Sequence, residues 1–327
     1  MLTRTTPITR FVVGIAAAGL ALGGLTACGG QSLAEAEEGS GGSGGNTSFA
    51  EPAPISDEEL AKSVLEQIEP DEKLAAQVPE KMRKSGLRAT TSVGYPPMEE
   101  WASNGTDIVG IDPAMAHAIS RKLGLNLSLE DQEFNAMIPG LISGRFDVLL
   151  SSMTDNEERR ETTTFVDYVQ AGNAFLVAEG NPEKIKVPMD LCGKTIAVVE
   201  SGSSALIAQD FSAACEADGK PGYEILSLSG DGEANLAVQS GRAVATVTDF
   251  PVAVERAKNP ETQMDAVRID GDESIWGIGV DNSQKELAKT VQAALQSLMD
   301  DGSYKKILDA YGVGDMALEK ATINGGA

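Results

Sequence analysis

Arg159, Asp249 and two serine-bearing turns are the residues whose types and spacing point to chemistry. Ser151, Ser152 and Thr154 come at the end of the apolar run 146–151, and Arg159 follows in a short helix opening near Asn156. Ser203 and Ser204 follow the run 195–199 at the start of a helix, and Asp249 follows the run 243–248. In an open parallel sheet, ligands sit beyond the carboxyl ends of the strands. A helix N-terminus with free N–H groups takes an anion, and an Arg grips a carboxylate through two parallel hydrogen bonds. A lone Asp beside them attracts an ammonium. The set suits a zwitterion with one carboxylate and one ammonium close together. Each member also has a plainer reading. Arg159 sits in Glu157-Glu158-Arg159-Arg160-Glu161, which reads as a solvated charged helix; Ser203 and Ser204 read as an N-cap, and Asp249 as the cap of a helix from Phe250. Their coincidence at strand ends favours a binding site.

The elements that position them alternate. Leu87–Val93, Leu125–Leu129 and Phe146–Ser151 read as strands, with helices opening at Asp112-Pro113 as N-cap and N1 and around Phe134, Met137, Ile138, Leu141 and Ile142 at helical spacing. Phe165–Tyr168 and Ala174–Ala178 follow as strands. A second block has strands at 195–199, 223–228, 243–248, 264–269 and 275–280, with helices over 203–214, 232–240 and 251–257. Two amphipathic helices, 284–299 and 303–311, close the chain. Strands alternating with helices imply an α/β fold, with parallel or mixed sheets covered on both faces. The two blocks imply two lobes. Upstream, 56–84 reads as a helix broken at Pro70 and Pro79, with Ser56 and Glu59 as a capping box.

Composition narrows the function. A net charge of −23 excludes a nucleic-acid partner, which demands a basic face. The single His, His117, removes most His-based catalysis and most zinc sites, so no metal and no cofactor is expected. His117 reads as structural. The N-terminus has Arg4 and Arg10, then an apolar run from Phe11 to Leu25, then Leu25-Thr26-Ala27-Cys28. That run is shorter than the roughly 20 residues a membrane helix needs and fits a secretory signal. The Cys resembles the lipobox of bacterial lipoproteins, which implies acylation at Cys28 and a place on the extracellular face of the cytoplasmic membrane. A plain signal peptide or a membrane helix is the alternative. Gly- and Ser-rich residues 28–55 read as a flexible linker reaching roughly 25–30 Å. Cys192 and Cys215 then remain, and in an exported chain such a pair reads as a disulfide, with two buried thiols the alternative.

The chain resembles the extracellular solute-binding proteins of polar-amino-acid ABC importers, with the type II periplasmic-binding-protein fold, over residues 86–313. The pieces are Tyr95-Pro96-Pro97-Met98-Glu99, Gly110-Ile111-Asp112, FNAMIPGL over 134–141, Ser143-Gly144-Arg145-Phe146-Asp147, SSMTDNEER over 151–159, Phe165-Val166-Asp167-Tyr168, and Asp300-Asp301-Gly302-Ser303-Tyr304 with Ile307 and Tyr311. The resemblance implies that Arg159 clamps an α-carboxylate with help from Ser152, Thr154 and the helix start at Ser203 and Ser204. It implies that Asp249 holds an α-ammonium while Tyr95 and Phe134 flank the side chain. Two departures stand out: Ala114 replaces a usual acid, and Asp155-Asn156-Glu157 replaces a common Ile-Thr-Pro.

The expected molecule is a monomeric receptor that closes on a free amino acid and docks on ABC permease subunits. Its segments are a signal peptide (1–27), the linker (28–55), a helical extension (56–85), lobe 1 (86–178), lobe 2 (179–267) and a return to lobe 1 (268–327). Hinges fall near 177–182 and 264–272. No further cation or carboxylate is plainly placed for a charged side chain, so a polar or uncharged ligand is expected. The chain is not expected to be an enzyme. The rivals are a sensor lipoprotein and an exported dehydratase of the same fold, for which Glu200 and Asp249 are the nearest acids.

Overall fold

Residues 49–326 are described by a computed structural model. Cys28, the signal segment 1–27 and most of the linker lie outside these residues.

Three short helices come first: α1 (Lys62–Leu65), α2 (Glu72–Ala75) and α3 (Glu80–Ser85). The chain continues through β1 (Leu87–Thr91), a ribbon of β2 (Glu100–Trp101) and β3 (Ile108–Val109), α4 (Ile111–Lys122), β4 (Leu127–Asp131) and α5 (Met137–Ile142). Then come β5 (Val148–Leu149), α6 (Glu157–Arg160) and β6 (Thr163–Ala178). The second block holds β7 (Thr195–Val199), α7 (Ser203–Ala217), β8 (Glu224–Leu228), α8 (Asp231–Gln239), β9 (Ala245–Asp249) and α9 (Phe250–Lys258). Strand β10 (Met264–Asp281) returns to the first block, and α10 (Lys285–Asp300) and α11 (Ser303–Ala310) follow.

Eight strands form one mixed sheet in the order β4-β1-β5-β10-β6-β9-β7-β8. β1 runs parallel to β4 and β5, and β7 runs parallel to β8 and β9. The long strands β6 and β10 lie antiparallel between these groups and belong to both. Residues 163–172 pair with 273–281, residues 174–178 pair with 264–268, and the register shifts between Arg268 and Glu273. The four separate strands expected at 165–168, 174–178, 264–269 and 275–280 are therefore two continuous ones. Ladder hydrogen bonds bridge the polar interruption around Gln170 and Asn173. Residues 173–177, grouped with lobe 1 in the sequence reading, pair with β9.

Alternation along β6 builds the second lobe. Phe175 and Val177 face Ile196, Val198, Ala208 and Cys215 under α7, whereas Ala174 and Leu176 face Ala197, Ala234, Ala237 and Ala253 under α8 and α9. In the first lobe, α4, α10 and α11 cover one sheet face around Met115, Ile119, Trp276, Leu295 and Ile307. α5 covers the other face, with Met137 and Leu141 against Phe146 and Phe165. The extension is part of this core rather than an outside attachment: Ala61, Leu65, Ile68, Val78 and Met82 are buried in it.

Two local expectations change. α4 starts at Ile111 with Gly110 as its cap, so Asp112 is not the N-cap. Its fully buried carboxylate instead accepts from the Ser152 N–H at 2.7 Å and the Tyr168 hydroxyl at 2.5 Å. Gly110 is required there: φ is +133°, and a Cβ would collide with the Met98 carbonyl. Likewise Glu59 makes no capping box. It is buried and accepts from the N–H groups of Ala61 and Gly110 and from the Tyr311 hydroxyl, so it ties the extension to α4 and α11.

Cys192 and Cys215 are disulfide-bonded, with Cα atoms 5.7 Å apart and 23 residues between them in sequence. A loop of that length constrains the unfolded chain by about 3 kcal/mol. Replacing both cysteines by Ser is expected to lower unfolding free energy by about that amount in urea titrations. An unmoved midpoint would show that the bond contributes nothing.

Candidate functional site

A cavity of about 380 Å³ lies at the seam of the two lobes, a volume suited to a small metabolite. Its floor and walls come from loops after strands. Ser92, Gly94 and Tyr95 follow β1, Gln132, Glu133 and Phe134 follow β4, and Ser151 and Ser152 follow β5. From the second lobe come Gly202, Ser203 and Ser204 after β7, and Gly230, Asp231 and Glu233 after β8; Thr248 and Asp249 end β9. The geometry is the switch-point rule applied to both lobes: parallel strands end, and the next helix begins, at the ligand.

The plainer readings of the key residues do not hold. Asp249 stands at the cap position of α9, yet its side chain makes no cap bond. It accepts instead from the Tyr95 hydroxyl across the seam at 2.7 Å, while its own N–H donates to that hydroxyl at 3.0 Å. Tyr95 is therefore more than an aromatic wall: its hydroxyl, also 2.8 Å from Thr248 Oγ1, joins the lobes. The cap of α7 is Gly202, with no side-chain cap bond, so Ser203 and Ser204 are the first helical residues and sit on the cavity wall. The Ser204 hydroxyl accepts weakly from the Val199 N–H at 3.4 Å.

Arg159 is not a solvated helix residue. It is 8% exposed, capped through its N–H by Asn156. Its guanidinium lies 5.6 Å from the centre of the Phe134 ring and donates to the Thr154 carbonyl at 2.9 Å and the Ser201 carbonyl at 2.8 Å. The last bond crosses the seam. Phe134 lines the cavity, whereas Arg159, set against its ring, is not itself on the cavity wall. A third crossing comes from Arg256 of α9, which donates to the Gly94 carbonyl at 2.7 Å and pairs with Asp231 at 2.5 Å.

Two of the expected polar helpers are engaged elsewhere. Ser152 lines the cavity, but its N–H and hydroxyl go to Asp112, at 2.7 and 3.3 Å. It holds a left-handed backbone, φ +47°, as does Ser201 at +61°, a conformation uncommon outside glycine. Thr154 is off the cavity wall. Its carbonyl serves Arg159, and its buried hydroxyl has no partner. Trp101 is exposed on β2 and His117 is packed in α4, and neither lines the cavity.

Asp249 apart, sequence reasoning missed the acids of the wall. Glu99, Asp131, Glu133, Asp231, Glu233 and Asp249 all line the cavity, and among the described residues no Lys, Arg or His does. Asp231 was within reach of the strand-end rule, since it opens α8 just after β8. Burial pushes Asp249 up to about 7, and Asp231 beside it adds to the rise, while the Tyr95 hydroxyl and Arg159 oppose it. Burial lifts Glu99 well above the carboxylate range and Asp112 to about 6. Burial also draws Arg159 down to about 10, which leaves it charged.

Comparison with known proteins gives a consistent picture. Residues 87–314 match the profile of bacterial extracellular solute-binding proteins, family 3. The arginine-binding protein ArgT of Corynebacterium glutamicum is 32% identical over 286 residues, covering 85% of this chain and 92% of the relative. An ancestral arginine-binding protein bound to arginine is 32% identical, with a TM-score of 0.62, over 69% of this chain and 97% of that one. An ancestral amino acid-binding protein, AncCDT-1, a precursor of cyclohexadienyl dehydratase, is 29% identical with a TM-score of 0.60, over 71% of this chain and 97% of that one.

The raised Asp249 has a consequence for stability without ligand. Its folded value, about 7, lies above the ordinary 3.8. The folded protein thus keeps a proton that the unfolded chain has lost, and this contribution is full below about pH 4 and gone above about pH 7. Asp249→Asn removes it. The stability of the variant relative to the parent is expected to shift in the variant's favour between pH 5 and pH 8, measured by urea unfolding at both. A difference independent of pH would mean that Asp249 titrates normally.

Proposed function

The chain belongs to the bacterial extracellular solute-binding proteins, family 3, with the type II periplasmic binding fold, and on that premise we propose that it captures a cationic amino acid, arginine foremost. Its function is extracytoplasmic capture of an amino acid and its delivery to an ABC importer. The observation that carries the choice of ligand is the cavity wall: six carboxyl groups and, among the described residues, no basic side chain. The uncharged ligand expected from sequence gives way to this, because folding gathers acids from loops far apart in the chain. That ArgT and the ancestral protein are arginine-binding supports the same reading.

In this reading Arg159 and the first amides of α7 take the α-carboxylate, and Asp249 takes the α-ammonium. Tyr95 and Phe134 enclose the aliphatic stem, and the remaining acids supply counter-charge to the guanidinium. Charge-assisted bonds contribute about 1.5–3 kcal/mol each, so micromolar or tighter affinity, near −8 kcal/mol, is within reach. We place the hinges where β6 and β10 change partners, at 170–173 and 268–273, several residues from the positions suggested by sequence. Contacts from both lobes then stabilise the closed form by differential affinity. The lipid anchor at Cys28 and docking on permease subunits belong to this proposal.

A dehydratase is the weaker reading. AncCDT-1 and the raised Asp249 favour it, but Glu200, its other candidate acid, is exposed and off the cavity wall.

Calorimetric titration with arginine, lysine, glutamine and glutamate tests the proposal. Arginine is expected to bind in the micromolar range or tighter, and glutamate not at all. Arg159→Ala and Asp249→Asn are each expected to raise Kd at least tenfold, the loss of about 1.4 kcal/mol, with the fold retained. Glutamine binding more tightly than arginine would overturn the choice of ligand. An unchanged Kd in Arg159→Ala would remove that residue from the site.

A further inference from the structure

Beyond the last helix, the segment 317–326 turns back along β6. It bridges the strand at Ala317–Val169 and Ile323–Val166. Asn324 donates its N–H to the Phe165 carbonyl at 3.0 Å and accepts the Phe165 N–H on Oδ1 at 2.8 Å. The Thr322 hydroxyl and the Gly325 N–H both donate to Asp167 Oδ2, at 2.5 and 2.8 Å. The Gly326 N–H then reaches past the strand to Asp155 Oδ2 at 2.9 Å.

Asp155 is a flank of the turn that carries Arg159. It is 1% exposed, and Arg160 closes on it with two bonds, Nε at 2.5 Å and Nη2 at 2.9 Å. The Arg160 carbonyl is held in turn by Asn282 Nδ2 at 3.0 Å. Residues 155 and 160 are thus both fixed, and Arg159 projects from between them to the Ser201 carbonyl across the seam. Hydrogen bonds lose strength within a few tenths of an ångström, so the placement of this turn decides whether the guanidinium meets its partners.

We infer that residues 322–326 form a brace that fixes the Arg159 turn against β6, and that Thr322, Gly326 and Asp155 are positioning residues for ligand capture although none lines the cavity. The inference rests on the reading of Arg159 as the carboxylate clamp. The two glycines are there for close approach. A Cβ at Gly326 would collide with the Asp155 carbonyl and lie 2.9 Å from Arg160 Nη2, and one at Gly325 would lie 2.7 Å from Asp167 Oδ2. The brace also accounts for a departure noted in the sequence. Where the family commonly carries Ile-Thr-Pro, this chain has Asp155-Asn156-Glu157, and Asp155 is the acceptor that Gly326 and Arg160 share.

The test is calorimetric titration of L-arginine into the full chain, as parent, Gly326→Val, Thr322→Val, Arg159→Ala and the double variant Gly326→Val with Arg159→Ala. Gly326→Val is expected to raise Kd roughly threefold to tenfold, within the range seen for coupled neighbours. In the Arg159→Ala background the same substitution is expected to change Kd less than twofold. A brace that serves only stability would lower the melting temperature and leave Kd unmoved, and that result overturns the inference. An equal loss in both backgrounds overturns it too, since the effect would bypass Arg159. Should Gly326→Val fail to fold, Thr322→Val, which keeps side-chain shape and loses only the bond to Asp167, carries the same expectation in direction. If Arg159→Ala leaves Kd unchanged, the clamp reading falls and the brace has nothing to position. If Arg159→Ala weakens binding and neither brace variant does, only the brace falls.

Discussion

Two opposite charges are kept out of water on either side of one seam. Asp249 ends a strand of the second lobe and Arg159 sits in a turn of the first, and both are 8% exposed. Burial disfavours each charge, which is why the acid is raised to about 7 and the guanidinium lowered to about 10. Neither group is neutralised by the other. Asp249 leans on the Tyr95 hydroxyl, and Arg159 on two carbonyls. Such partners stabilise a charge without cancelling it, so both groups stay competent for an ionic ligand. The rest of the structure holds these two groups on opposite sides of the seam.

The strands β6 and β10 do most of that holding. Each is paired in both lobes, so the lobes are one sheet rather than two bodies on a flexible string. The ladder between β6 and β10 is interrupted by a register shift between Arg268 and Glu273. As the proposed hinge, it would let the distance across the seam change while the sheet on either side stays intact. The side chains of Tyr95, Arg159 and Arg256 reach across the gap. All three act through hydrogen bonds, which are directional and easily exchanged for water, while Val252 of α9 adds an apolar contact with the first-lobe core. A receptor that must open again is consistent with that kind of closure.

The legibility of the sequence followed the range of the interaction. Local signals sufficed for β7 at Thr195–Val199, for α10 and α11, and for the strand-end serines and acids that reached the cavity. They failed where a residue is used at a distance. Asp112 before Pro113 has the local chemistry of a cap, but Tyr168 and Ser152, far along the chain, claim its carboxylate. Glu59 has the spacing of a capping box and serves Gly110 and Tyr311 instead. Thr154 sits two residues after Ser152 in a motif that suggested a ligand role, yet the turn points its hydroxyl inward. The continuity of β6 was hidden because Gln170 and Asn173 interrupt the apolar pattern where the strand crosses between cores.

The acidic wall shows why ligand charge is harder to read than ligand backbone. Carboxylate and ammonium recognition depends on single residues at strand ends, and those positions are marked locally. In the proposed reading, recognition of a cationic side chain depends on a summed field from acids at 131, 133, 231 and 233, while burial keeps Glu99 protonated. In a chain of net charge −23, one more acid in a loop carries no information by itself. Several of these acids are also partly compensated, Asp231 by Arg256 and Glu233 by Ser229, so no single one is marked out as the partner. In the proposed reading a cation is selected because the wall is of one sign inside a confined, low-dielectric space, where such a field is less screened than at the surface. An anionic side chain brought into that space would lose its hydration and meet only like charge. On the proposed reading the same wall would attract a cationic ligand and reject its anionic counterpart, and discrimination between the two would follow from the distribution of charge rather than from any one contact.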